Sequence, residues 1–195
     1  MNVTISDVAR LRERTGIGVS AAKKALEEAD GDFDKAVEVI RKSGKKVAAS
    51  KLTRQMREGL IGHYVHANSK VAALVVVTCE TDFVARGDDF KQLVHDIALH
   101  IAALNPRYVK PEDVPEEVLE KEREIVRAQV AGSKKPAAVV EKIIEGKLET
   151  FFKETCLVRQ PYVKDESMTI GDLITAAIQK LGENIQVREF VRLSL

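Results

Sequence analysis

Tryptophan is missing from the sequence, and aromatic residues occupy only 5% of its 195 positions. Cysteine is also scarce: Cys79 and Cys156 are the two in the chain, far apart and beside apolar or β-branched residues. This placement favours buried, reduced thiols over a disulfide framework or a CxxC zinc site.

A dominant charge and a long hydrophobic run are absent as well. The 31 Lys and Arg residues nearly balance the 30 Asp and Glu residues, so the net charge is +1 and no global field attracts nucleic acid or an anionic membrane. The apolar run at residues 71–77 is far shorter than the roughly 20 residues of a membrane-spanning helix. Residues 1–10 lack the apolar core of a signal peptide. We therefore expect a cytoplasmic protein with locally recognised partners, no membrane contact and no direct nucleic acid binding.

Motifs for common active sites are missing too. The sequence contains no GxxxxGK[ST], GxGxxG or HExxH. His63 and His66 would point to opposite faces of a strand, and His95 and His100 lie about 140° apart around a helix, so they do not form a metal site. Cys79 paired with a histidine stays open as a cysteine-hydrolase alternative. We predict no enzymatic activity, no metal and no cofactor, which leaves binding to another macromolecule.

Residues 1–44 are predicted to form a small helical head. Apolar residues at helical spacing indicate three helices, separated by a Gly-rich turn at residues 15–18 and an Asp-Gly-Asp turn at residues 30–32, with Gly44 ending the third helix. The pattern resembles a ubiquitin-associated (UBA-like) bundle. So short a unit buries little apolar area, which favours recognition over catalysis.

Residues 45–57 are predicted to be a basic linker helix. All charged residues of this segment are positive, and apolar residues recur at near-helical spacing. An RNA-binding arm is the alternative, but the segment has no aromatic residue for base stacking. We therefore interpret it as a solvated linker.

Residues 58–195 are predicted to form an α+β core in which a small antiparallel sheet packs with helices. Strands at residues 59–66 and 71–79 flank a hairpin turn, and the near-continuous apolar second strand is expected to be central and covered on both faces. Asp88 or Asp89 is expected to cap the following helix. A Thr169-to-Asp172 capping box precedes a helix ending at residues 181–182 and a final strand.

A helical insertion is predicted at about residues 115–156. Pro115 begins one charged helix that runs to about Ala131 and is closed by Gly132. Two short helices, at residues 136–144 and 147–156, follow with Gly146 between them. Residues 157–163 are expected to be extended. The pattern leaves open whether this insertion is a scaffold, a dimer arm or a spacer.

The loop after the second strand is the strongest functional signal. It places an acid and a phenyl ring at the end of a rigid strand, where loops commonly contact partners. Its sequence is Cys79-Glu80-Thr81-Asp82-Phe83-Val84-Ala85-Arg86. A purely structural interpretation is the alternative: the Phe83 ring would fold back onto the helix start and Asp82 would cap that helix.

This loop and a second motif in the head resemble translation elongation factor Ts, the guanine-nucleotide exchange factor for elongation factor Tu. The head motif covers residues 11–19 and continues through Lys23-Lys24-Ala25-Leu26. Residues 62–66 and 182–185 are also similar to family segments, in the same order. The resemblance covers essentially the whole chain.

The resemblance implies an exchange factor that binds elongation factor Tu in its GDP-bound and nucleotide-free states. Its partner-binding residues would form three groups. An exchange wedge would disturb the partner's Mg²⁺ site, a second group would press on its phosphate loop, and the head would grip a helix. In that order the groups are Thr81, Asp82, Phe83 and Val84; His66, Leu181 and Gly182; and Arg12, Val19 and Lys23.

The chain resembles the short form of the family, which carries half of a two-lobed core. We therefore expect a homodimer in which the sheets of two copies complete the second lobe. The alternative function is a protein-binding adaptor with a UBA-like head and a dimerising core that does not accelerate nucleotide release.

Overall fold

The computed structural model describes residues 3–130 and 136–195, and the elements of these residues confirm the α+β class. The α-helices are α1 (Ile5–Thr15), α2 (Val19–Glu28), α3 (Phe33–Lys51), α4 (Asp82–Arg86), α5 (Asp88–Leu104), α6 (Glu116–Val130), α7 (Ala137–Thr155) and α8 (Ile170–Leu181). The strands are β1 (Glu58–Val65), β2 (Val71–Cys79), β3 (Pro161–Tyr162), β4 (Asp165–Thr169) and β5 (Gln186–Ser194). No helix in the described ranges combines the length and apolarity needed to cross a membrane.

Helices α1 to α3 pack around a small apolar cluster that includes the buried side chains of Leu11 and Leu26. Local chemistry sets their ends. Thr4 and Asp7 form a capping box at α1, Gly16 closes α1 in the left-handed conformation (φ 71°), and the Asp32 side chain caps α3. The three predicted head helices are therefore present.

Helix α3 continues through Gly44 to Lys51, so the predicted helix end at Gly44 is wrong. Gly44 is buried where α3 crosses α8, and a Cβ there would lie 2.8 Å from Gln179 Oε1 and 3.2 Å from Thr175 Cγ2. The glycine permits close helix packing and does not provide a left-handed stop. Only residues 45–51 of the predicted separate linker helix are helical, as part of α3. The division of the chain at residues 44 and 57 stays a prediction.

The main sheet has the antiparallel order β1-β2-β5, with β2 in the centre. Helix α5 covers one face, where Ala73, Val75 and Val77 of β2 are buried. Gly62 of β1 lets the helix come close, because a Cβ there would lie 2.2 Å from Val94 Cγ1. The predicted hairpin and central strand are confirmed.

The opposite face of the sheet is exposed, so the expectation that β2 is covered on both faces is wrong. Leu74 of β2 is 48% exposed and lies opposite Val191 of β5 and His63 of β1, with apolar residues of β1 at the diagonal positions. We call this surface the open sheet face; its exposed apolar residues are Ile61, Val65, Leu74, Val191 and Leu193. Alternation along a strand is typical of a sheet with one covered face.

Three further boundaries differ from the prediction. Gly87 precedes α5, so Asp88 and Asp89 lie in its first turn and do not cap it. Helix α7 runs through Gly146 as one helix, because this exposed glycine keeps a helical backbone among good helix formers. A short 3₁₀ turn and β3 replace the extended segment at residues 157–163. The predicted closure of α6 at Gly132 lies outside the described residues.

His100 is a buried polar residue on α5, facing the segment that ends in β3. The Val163 amide donates to its Nδ1 (3.2 Å), so Nε2 carries the proton and donates to Gln160 Oε1 (3.0 Å). Burial lowers the pKa of His100, although the Gln160 hydrogen bond opposes the shift. Protonation would remove the acceptor for Val163, so the fold requires neutral imidazole.

This arrangement predicts that acid destabilises the protein through His100. The pKa is lower in the folded chain than its unfolded value of about 6.5, so the contribution is complete above that pH and declines as the pH falls below it. We expect the free energy of unfolding to fall with a limiting slope of about 1.4 kcal/mol per pH unit for this one proton. Denaturant unfolding of wild type and His100→Asn between pH 7.5 and 5 measures the difference. Equal slopes in the two proteins would contradict the prediction.

Candidate functional site

The β2–α4 loop presents the predicted wedge residues at one end of the sheet. Strand β2 ends at the fully buried Cys79, which anchors the loop in the core. Thr81 caps α4, since its Oγ1 accepts from the Val84 amide (3.4 Å). Asp82 forms an ion pair with Arg86 (3.1 Å) on the same short helix.

The Phe83 side chain is 83% exposed, although it is large and apolar. The alternative in which its ring folds back onto the helix start and Asp82 caps the helix is therefore wrong. Thr81 is the cap, and Asp82 is half-exposed beside Arg86. An exposed aromatic ring next to a rigid strand end is suited to insertion into an apolar pocket of a partner.

Glu183, two residues after the end of α8, holds this loop in place. Its Oε2 accepts from the amides of Glu80 and Thr81 (both 3.0 Å), and its Oε1 accepts from Thr81 Oγ1 (2.6 Å). In return, Glu80 Oε1 accepts from the Asn184 amide (2.6 Å). In the sequence, nothing marks Glu183 as a site residue beyond its place in residues 182–185, a segment similar to the family.

Leu181 and Gly182 therefore lie beside the β2–α4 loop with the wedge residues, which we call the wedge loop (residues 80–84). Gly182 ends α8 in the left-handed conformation (φ 78°), which only glycine adopts readily, and this turn directs Glu183 toward Thr81. The Gly182 carbonyl also accepts from Lys51 Nζ at the end of α3. Leu181 is partly buried against the core.

His66 does not join this cluster. It follows β1 at the hairpin, where its amide bonds Val71 O (2.8 Å) at the start of β2 and its Nδ1 lies 3.2 Å from the Tyr64 hydroxyl. The loop with Phe83 follows the other end of β2, about 26 Å away for a strand of this length. Within one chain, His66 and Gly182 are thus at opposite ends of the sheet.

The head residues Arg12, Val19 and Lys23 surround the α1–α2 turn. Arg12 Nε donates to Ile17 O (3.3 Å), Val19 is 54% exposed, and Lys23 lies one turn further along α2. This turn approaches the core near the wedge loop, because a Cβ on Gly16 would lie 3.2 Å from Lys180 Cδ, two residues before Gly182. The head turn and the end of α8 are therefore neighbours.

The chemistry of the site does not favour a nucleophile or a metal. Burial, and then the nearby Glu183 carboxylate, raise the pKa of the Cys79 thiol to about 11, so it holds its proton at neutral pH. This argues against the cysteine-hydrolase alternative. In the described ranges, no cluster of three His, Cys, Asp or Glu residues could bind a metal ion.

A groove of about 560 Å³ separates the head from β4 and α8. Arg14 and Arg41 reach into it from the head and Asp165 from the core. Hydrogen bonds from Ser167 hold the pKa of Asp165 below its usual value, as expected for an ionised acceptor and not for a proton donor.

Comparison with known proteins places the sequence in a family. The family model described as Elongation factor TS matches residues 19–195. The Elongation factor Ts of Fervidobacterium nodosum is 54% identical over 100% of this chain and 99% of its own length. The Elongation factor Ts of Pseudothermotoga lettingae is 54% identical over 99% of this chain and 98% of its own length. The Elongation factor Ts of Carboxydothermus hydrogenoformans is 52% identical over 99% of this chain and 89% of its own length. This chain belongs to the elongation factor Ts family.

Proposed function

We propose that this chain acts in the cytoplasm as a guanine-nucleotide exchange factor that binds elongation factor Tu and promotes GDP release. The observation that carries the proposal is the exposed Phe83 ring beside the anchored end of β2. Family membership indicates the role in translation elongation. The exchange itself needs no covalent step, in keeping with a site that offers no activated nucleophile.

In the proposed mechanism, Phe83 enters an apolar pocket of the partner's nucleotide domain. Thr81 and Val84 flank the ring, and Asp82 stabilises the displaced segment of the partner with its carboxylate. Mg²⁺ requires near-ideal octahedral geometry, so a small displacement at its site weakens the retention of GDP. GTP can then bind to the vacated partner.

Further contacts are assigned to two other areas. Leu181 and Gly182 press on the phosphate-loop side next to the wedge, and Arg12, Val19 and Lys23 of the head grip a helix of the same domain. His66 belongs to the phosphate-loop group by family resemblance. Its place at the far end of the sheet means that it contacts the partner separately from Gly182.

The energetics follow from linked binding. The factor weakens GDP binding only as far as it prefers the nucleotide-free partner, and GDP or GTP weakens its own binding by the same factor. A thousandfold faster release requires a barrier lower by about 4 kcal/mol. One desolvated aromatic anchor with a few polar contacts supplies energies of this size.

Phe83→Ala is expected to reduce accelerated GDP release about thirtyfold, equivalent to about 2 kcal/mol for an interface anchor. Because Phe83 is exposed, the thermal unfolding midpoint of the variant should stay that of wild type. Stopped-flow release of fluorescent GDP from elongation factor Tu measures the effect. Ile125→Ala, at an exposed apolar residue of α6, is the matched control.

The outcomes separate exchange from simple binding. Acceleration by wild type that persists in Phe83→Ala would refute the wedge. Binding to elongation factor Tu without accelerated release would support the adaptor with a UBA-like head and a dimerising core.

The open sheet face supports a homodimer as part of this proposal. Five exposed apolar side chains from three adjacent strands lie on one surface, whereas such residues on a monomer are usually scattered. Two sheets that pack face to face bury surfaces of this kind in β-sandwiches. A second copy of the chain presents the same apolar face and is the proposed occupant.

Leu74→Glu is expected to convert the dimer to a monomer, because it places a charge in the middle of the open sheet face. Leu74 is half-exposed in the single chain, so the substitution should leave the fold intact by circular dichroism. Light scattering at micromolar concentration measures the mass, with Ile125→Glu on α6 as the control. A monomeric wild type would overturn the dimer proposal.

A further inference from the structure

The backbone amides of Glu80 and Thr81, shortly before Phe83, form no hydrogen bonds within the sheet. Strand β1 pairs with β2 as far as Cys79, and β5 pairs with β2 as far as Thr78. The amides of Glu80 and Thr81 lie beyond these ladders, so another group must accept their hydrogen bonds. The position of this acceptor therefore sets the direction of the backbone after β2.

Glu183 provides this acceptor from another part of the chain. One carboxylate oxygen accepts both amides at 3.0 Å, and the other accepts the Thr81 hydroxyl at 2.6 Å. Hydrogen bonds to an ionised acceptor are roughly twice as strong as those between neutral groups. Three of them converge on the two residues that precede Asp82.

The reverse contacts fix Glu183 in turn. Glu80 accepts from the Asn184 amide (2.6 Å) and forms an ion pair with Arg54 (3.5 Å). The buried Asn184 side chain donates to the carbonyl of Arg54 (3.3 Å) and to that of Leu52 (3.5 Å). Three segments, after α3, β2 and α8, are thereby joined at one point.

Restraints within the loop itself are weaker. The Thr81 cap on Val84 is long at 3.4 Å, and the Asp82–Arg86 pair is solvent-exposed, a class of pair that contributes little. Phe83 is too exposed for packing to fix its ring. Val84 and the buried Ala85 hold the far side of α4 on the core. On the near side, the direction of Phe83 depends on the backbone of Glu80 and Thr81.

We propose that Glu183 is a positioning residue for nucleotide exchange, which holds the wedge loop rigid before the partner binds. The inference rests on the proposed function and adds to it a residue that acts through Phe83 without touching the partner. Preorganisation of this kind reduces the entropy lost when a loop is ordered on binding. The head and the end of α8 bind the partner whichever way Phe83 points, so a loop without the clamp would present Phe83 correctly in only a fraction of the bound complexes, which lowers the rate at saturation.

The test compares Glu183→Ala, Glu183→Gln and wild type in GDP release from elongation factor Tu over a range of factor concentrations. Glu183→Ala is expected to lower the plateau rate about tenfold, since freeing immobilised residues has this order of effect. Glu183→Gln keeps an oxygen that accepts both amides and should recover most of the rate. Glu166→Ala, which removes an exposed carboxylate of β4, is the matched control.

The concentration series separates positioning from stability. A role limited to stability would raise the half-saturating concentration and leave the plateau unchanged, and that result would overturn the proposal. A wild-type plateau in Glu183→Ala would overturn it too.

Amide hydrogen exchange of the free protein tests the clamp without the partner. The Glu80 and Thr81 amides should exchange at least tenfold faster in Glu183→Ala than in wild type, with Val75 of the buried strand unchanged; equal protection would refute the clamp. If wild type does not accelerate GDP release, the proposed function and the exchange role of Glu183 both fail. The amide data then still decide whether Glu183 holds the loop.

Discussion

Burial of one face of the three-stranded sheet under α5 is the constraint from which the rest of the core follows. It fixes alternate residues of β2 in the interior down to Cys79, so the chain that leaves the strand starts from an immobile point. The same alternation directs Leu74 and its neighbours to the other side. The packing of α5 on one face of the sheet thus produces both a rigid strand end before Phe83 and the exposed open sheet face.

The second organising contact is the crossing of α3 and α8. Gly44 allows close approach, and Lys45 beside Asp172 (3.5 Å), Arg41 on Ser167 O (3.4 Å) and Gln179 on Ser43 (3.2 Å) add polar contacts around it. Most of these are exposed and individually weak. The end of α8 then reaches Glu183, so the helix that docks the head also carries the residue that restrains the wedge loop.

Local sequence signals predicted most of the elements. The Thr169–Asp172 capping box, the hairpin turn after β1 and the loop after Cys79 are set by neighbouring residues, and the structure confirms each. The helix ends predicted at two glycines were wrong, because the effect of glycine on a helix depends on tertiary context. Gly44 serves a helix crossing, and Gly146 lies within a helix that nothing interrupts.

Long-range contacts could not be predicted from the sequence, because they too depend on tertiary context. Glu183 meets Thr81 across 102 positions of sequence, and no local pattern distinguishes its carboxylate from the other acids of the chain. Strand β4 lacks apolar alternation and is defined by its pairing with β3. The exposure of Phe83 likewise depends on the absence of a neighbour to cover it, which a sequence does not display.

The unbroken course of α3 has a consequence for partner recognition. A helix of 19 residues is about 28 Å long; it runs from the head across α8, and residues 52–57 then lead into β1. After one of the two proposed contact areas binds, the other is already at a set separation and orientation, so little chain entropy is lost in the second contact. With both proposed contact areas in use, a partner would be selected by the spacing between its two recognition patches, in addition to the chemistry of each patch.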